Sequence, residues 1–171
     1  AFVTGQDLVE ITNISSSPVD ISGWTLSDHA SNTAAATHTG FAFPASTIIP
    51  ANSVAVVCLG TGTNNVSNLY YNTGGTSNLW NFTSLVGIVL KNGTTVIDAV
   101  GCGSGYVFNA GTGVTADDWS GFATIGFLVA GTTRTAAVDN NTSANWSASS
   151  AVTQTIGVFN PGYTPPIAIS S

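Results

Sequence analysis

The 171-residue chain is 43% hydrophobic and 6% charged, with a mean hydropathy of +0.32, which excludes intrinsic disorder and provides for one domain with a sizeable core. Only Lys91 and Arg134 oppose eight carboxylates, a net charge of −6; nucleic acid and anionic membrane surfaces, both recognised through clustered cations, are excluded as partners. No apolar run reaches the roughly 18 residues of a membrane span.

In chain order, strand signals dominate and no window shows a capped helical period. Residues 7–14 read as a first strand. Residues 19–27 read as a second, entered through a Ser-Ser-Pro turn, and 41–44 as a short aromatic one. Residues 53–59 form a fully apolar strand. Residues 85–91 and Thr95–Cys102 make the clearest hairpin, turning at Asn92-Gly93, the pair favoured where both central residues need φ > 0. Residues 125–129 and 155–159 are weaker late strands, and 60–78 and 103–121 are long loops rich in Gly, Asn, Thr and Ser. Loops of that length in a compact domain are usually functional or mobile. The whole chain, 1–171, reads as a single domain with an N-terminal arm (1–7) and a C-terminal tail (164–171).

The polar surface comes from 24 Thr, 19 Ser and 15 Asn, which hydrate strands and loops without charge. With Ala1 at the start, the expectation is a mature secreted protein, extracellular or at the cell surface. Cys58 and Cys102 each end a β-like run and share parity with valines, Val54 and Val56 in one and Val96 and Val100 in the other. Both are therefore expected to face one core. In an extracellular chain a disulfide is the preferred reading, with two buried thiols as the alternative.

The stretch Leu8-Val9-Glu10-Ile11-Thr12-Asn13, followed by Val19-Asp20-Ile21-Ser22-Gly23-Trp24-Thr25-Leu26-Ser27-Asp28, resembles the opening of a lamin tail domain. The resemblance continues through Phe41, Phe43-Pro44, Ile49-Pro50-Ala51-Asn52-Ser53 and Val54-Ala55-Val56-Val57. It resumes at Leu90-Lys91-Asn92-Gly93 and Val96-Ile97-Asp98-Ala99-Val100, and closes on Asn145-Trp146 and Asn160-Pro161-Gly162, spanning about 8–163. It implies an all-β fold, an immunoglobulin-like β-sandwich, here with long Gly/Asn/Thr-rich loops. Trp24 and Leu26, two residues apart, are expected to share the core face. Asp20 and Asp98 are expected to accept turn amides. The near absence of cations means that the basic surfaces and partners of nuclear lamin tails do not carry over.

Catalytic motifs are few. His29 and His38 fall in the 28–40 loop as solvated residues, with an incidental metal pair as the alternative. Gly101-Cys102-Gly103-Ser104-Gly105 has the wrong spacing for a nucleophile elbow. No catalytic residue is assigned. Asp117-Asp118 is a calcium candidate, with an exposed acidic turn as the alternative, and Asp139-Asn140-Asn141 a weaker one. No other cofactor is expected. Tyr70, Tyr71, Trp80, Tyr106 and Trp119 are loop aromatics that either stack on carbohydrate or pin loops. Asn13, Asn65, Asn81, Asn92, Asn140, Asn141 and Asn145 lie in glycosylation sequons.

The expected function is a non-enzymatic extracellular structural protein: a self-associating subunit of a filament, sheath or surface layer, or a matrix or adhesion module. Phe2, Val3, Ile167 and Ile169 in the apolar ends are its expected contact residues. The alternative is a carbohydrate- or calcium-dependent binding module of a secreted enzyme.

Overall fold

The computed structural model describes residues 8–37, 40–58, 60, 62–73, 85–121, 130–134 and 140–150, with backbone alone at 130–134, 145 and 147–150. Strand β1 (Leu8–Asn13) pairs with β6 (Ser53–Cys58) antiparallel, and β7 (Tyr70–Asn72) joins β6 in parallel on its other side. A second sheet has four strands: β4 (Phe41–Ala42), β3 (Thr25–Ala30), β8 (Val86–Asn92) and β9 (Thr95–Cys102), in that order. Short β2 (Val19–Asp20) pairs with β5 (Ile48–Ile49), and β10 (Ala130–Arg134) with β11 (Trp146–Ser150).

Period-two alternation sets the core. Ala55 and Val57 of β6, Leu26 of β3, and Val86, Ile88 and Leu90 of β8 turn into one cluster with Ile21, Ile49 and Tyr71. Each fully buried Leu or Ile stabilises by about 1.5–3 kcal/mol. Phe41, Phe43 and Tyr71 meet at one end of the cluster, with ring centroids 4.9 to 6.2 Å apart. Asn13 ties β1 to the β5–β6 connection: its Nδ2 donates to the carbonyls of Ser17, Ile49 and Pro50 at 2.9 to 3.0 Å. Its Oδ1 accepts from the Ser15 amide and hydroxyl.

The structure corrects several expectations. The strand expected at 19–27 is two strands, because Ser22-Gly23 makes a turn closed by the Trp24 N–H on the Ile21 carbonyl at 3.0 Å. Trp24 is consequently only half-buried and packs against the margin of the core. The hairpin turn is one residue later than expected. Asn92 pairs with Thr95, so the loop is Gly93-Thr94, and Gly93 at φ 59° takes the positive-φ first position of a type II′ turn. The 60–78 loop contains the short helix Val66–Asn68 and strand β7, and its Tyr71 is a core residue. The late strands expected at 125–129 and 155–159 lie outside the described residues, as do Phe2, Val3, Ile167 and Ile169.

Cys58 and Cys102 are buried thiols, not a disulfide. The reason is parity. Ala55 and Val57 are the inward residues of β6, so Val54, Val56 and Cys58 turn to the opposite face of their sheet. Cys102, paired with Val86, faces the core. The three-stranded sheet therefore stands between the two sulfurs. In β9 the parity argument also fails locally. Leu90 pairs with Asp98 but Lys91 with Val96, which leaves Ile97 as a bulge and puts Val96 on the other face from Val100. Tyr70, beside Cys58, has its pKa pushed up to about 12, first by burial and then by the thiol.

Candidate functional site

The four-stranded sheet has a second covered face. On its outer side the register aligns Ser27 and His29 of β3 with Val89 and Gly87 of β8, and these with Ala99 and Gly101 of β9. Adjacent glycines leave a shelf at backbone level, and residues 103–121 cross it as a strap. Tyr106 lies on the shelf. A Cβ at Gly101 would stand 2.6 Å from its Cδ1 and 2.9 Å from Trp119 Nε1, and one at Gly87 would collide with its hydroxyl. That hydroxyl donates to the His29 carbonyl at 3.2 Å, and the ring packs edge-on to Phe108 at 4.9 Å.

A seam joins the strap to the loop after β3. Asn32 N–H donates to the Val107 carbonyl at 2.7 Å, Val107 N–H to Ser31 Oγ at 3.1 Å, and Asn109 Nδ2 to the Asn32 carbonyl at 3.2 Å. At the far end Trp119 donates to the Gly121 carbonyl at 2.8 Å and meets Trp146 at 6.2 Å. Ser120 bridges to Thr142 there.

His29 is buried under this cover rather than solvated in a loop, because Asp28 and His29 belong to β3. His38 lies outside the described residues. The His29 Nε2 is 3.1 Å from Ser27 Oγ, and its Nδ1 is buried with no hydrogen-bond partner among the described residues. Burial holds the imidazole below its ordinary pKa, and Lys91 adds to the effect. The carbonyls of Ala35 and Ala34 and the Asp28 carboxylate pull weakly the other way. A serine hydroxyl on a neutral imidazole has the geometry of a nucleophile and its base. Here the ring is 4% exposed, no carboxylate orients Nδ1 among the described residues, and Asp28 occupies the face shared with Leu26 and Ile88. The pair packs beneath the strap.

The other candidate residues hold turns. Asp118 Oδ2 accepts from the Thr115 amide and hydroxyl, each at 2.8 Å, and Asn141 Nδ2 donates to the Asp117 carbonyl at 2.7 Å. No group of three or more His, Cys, Asp or Glu side chains suited to a metal occurs among the described residues. Asp20 accepts from the Ser22 amide, and Asp98 from Ala99; the Ser22 hydrogen bonds lower the Asp20 pKa. Of the loop aromatics, Tyr71, Tyr106 and Trp119 are buried, Tyr70 is half-buried, and Trp80 is outside the described residues. Of the sequons, Asn65, Asn92 and Asn140 are exposed, while Asn13 is buried and Asn141 half-buried. Asn81 and the Asn145 side chain are not described. The glycine shelf was missed from sequence. Its signal is a glycine among apolar residues in each of two neighbouring strands, Val86-Gly87-Ile88 and Val100-Gly101-Cys102.

Two sheets closing on one core define an immunoglobulin-like β-sandwich. The chain belongs to the lamin tail domain family, whose model matches residues 2–104, an immunoglobulin-like family not typically catalytic. A comparison with curated proteins finds no match. The matched region ends as β9 gives way to the strap, so Tyr106, Phe108 and Trp119 lie beyond it. No helix among the described residues is long and apolar enough to cross a membrane.

Proposed function

We propose that this lamin tail domain is a non-enzymatic extracellular structural module that associates with copies of itself. The observation that carries the reading is the use made of chemistry-bearing side chains. Asp20, Asp98, Asp118 and Asn13 bond to their own turns and connections, and His29 to its own strand. Polar groups spent this way build a scaffold. Association is favoured by the surface. Ile48, Ile97, Val66 and Val107 are 44 to 57% exposed in a chain with two cations, so little charge repulsion opposes contact.

The ends and the exposed apolar residues are tested together. Chains lacking residues 1–4, chains lacking 165–171, and the Val107→Lys and Ile97→Lys variants are compared with the full chain by sedimentation velocity. At least one change is expected to shift the distribution toward monomer. If all four sediment as the full chain does, association does not run through these surfaces.

A further inference from the structure

We propose that His29 is a proton-operated latch: it keeps the 103–121 strap and the 31–37 loop on the outer face of the four-stranded sheet while neutral, and releases them when protonated. The geometry has three parts. The ring is buried at the seam, and its own backbone carbonyl receives the Tyr106 hydroxyl. Its Nδ1 makes no hydrogen bond of ordinary geometry among the described residues, and although the Ala35 and Ala34 carbonyls face the ring, burial of the cation outweighs them. Finally, the cover meets β3 through a seam of loop bonds: Tyr106, Val107 and Asn109 bond to residues 29–32, and Thr37 bonds to Asp28 and Ala30. Strand β3 beneath it is paired with β8 along its whole length, Thr25 to Ala30. Loop segments held by individual bonds open before the continuously paired sheet they lie on.

Burial and Lys91 outweigh the Ala35 and Ala34 carbonyls and the Asp28 carboxylate, which favour the charged ring. Lys91, on the same face of β8, repels a cation. Asp28, on the opposite face of β3, attracts it through the strand and is outweighed by burial and Lys91. The strap contributes Tyr106, whose hydroxyl burial keeps protonated, and Asp117 and Asp118, the latter bonded to Thr115. Strand β4, the outer face of β9 (Val96, Ala99, Gly101) and residues 31–37 carry no titratable side chain. The sign follows from the depressed folded-state pKa. The stabilisation is complete above the ordinary value of 6.5 and is lost as pH falls below it through the folded value. Opening moves the imidazolium into water and bares the Gly87–Gly101 shelf, Val89 and Ala99.

The test is NMR on the full chain from about pH 7.5 to about pH 4.5, following amide exchange at Asn32 and Val107, corrected for intrinsic rates, together with the His29 ring. Protection of both amides is expected to fall at least about tenfold with the midpoint of the ring, while Val57 in β6 changes by less than about twofold. In His29→Gln the pH dependence is expected to vanish. Level protection through the ring's titration, or the same loss in His29→Gln, overturns the proposal. Where His29→Gln fails to fold, coincidence of the two wild-type midpoints upholds the proposal and their separation overturns it.

Discussion

Asn13 shows how far one side chain's role can depart from its local motif. It opens an Asn-Ile-Ser sequon, yet its amide donates to three carbonyls and accepts from Ser15. A sequon is legible in three residues; a bond to Pro50, 37 residues away, is not. Asn13→Ala should cost about 1–3 kcal/mol in denaturant melts, because buried acceptors lose their donor. A smaller loss would mean that water replaces the amide. The cysteines carry a similar lesson. Their β-runs were legible, but inward parity was assigned from valines, and β6 has valines on both faces. The chain is expected to show two thiols by mass spectrometry without reduction, both slow to alkylate until unfolded. A mass two hydrogens lower would contradict the assignment.

Elements were most legible where alternation or an apolar run was long. Strands β1, β6, β8 and β9 fall within a residue or two of expectation. Short β2 and β5, and β7 with its parallel partner, depend on distant pairing and have no strong local signal. The turn at Ser22-Gly23 was hidden inside an apparently continuous run, and it decides what Trp24 is worth. A fully buried Trp→Ala costs about 3–5 kcal/mol. Half-buried at the β2–β3 turn, Trp24→Ala should cost about 1.5–3 kcal/mol, roughly half of that. A loss near 5 kcal/mol in denaturant melts would place the ring fully in the core. The strap could be read only as a Gly-rich loop. What orders it is a shelf supplied by two other strands and a carbonyl on a third.

At the scale of the molecule, fold and function were unequally legible. An all-β fold follows from alternation and the β8–β9 hairpin and the sandwich from the resemblance to lamin tail domains, and the family match agrees over residues 2–104. Function was legible only as surface chemistry: few charges, many Thr, Ser and Asn, and no catalytic constellation to read. The structure adds that the carboxylates Asp20, Asp98 and Asp118 work within the fold. It also shows that Tyr71, Tyr106 and Trp119 are spent on packing, not offered as a sugar platform. Self-association is the central claim, and a concentration series of the intact chain tests it most directly. Sedimentation velocity and negative-stain microscopy, at low and high salt, should show species that grow with concentration and persist in salt, as apolar contacts require. A single monomeric boundary at every concentration, with no ordered assemblies on the grid, would contradict it.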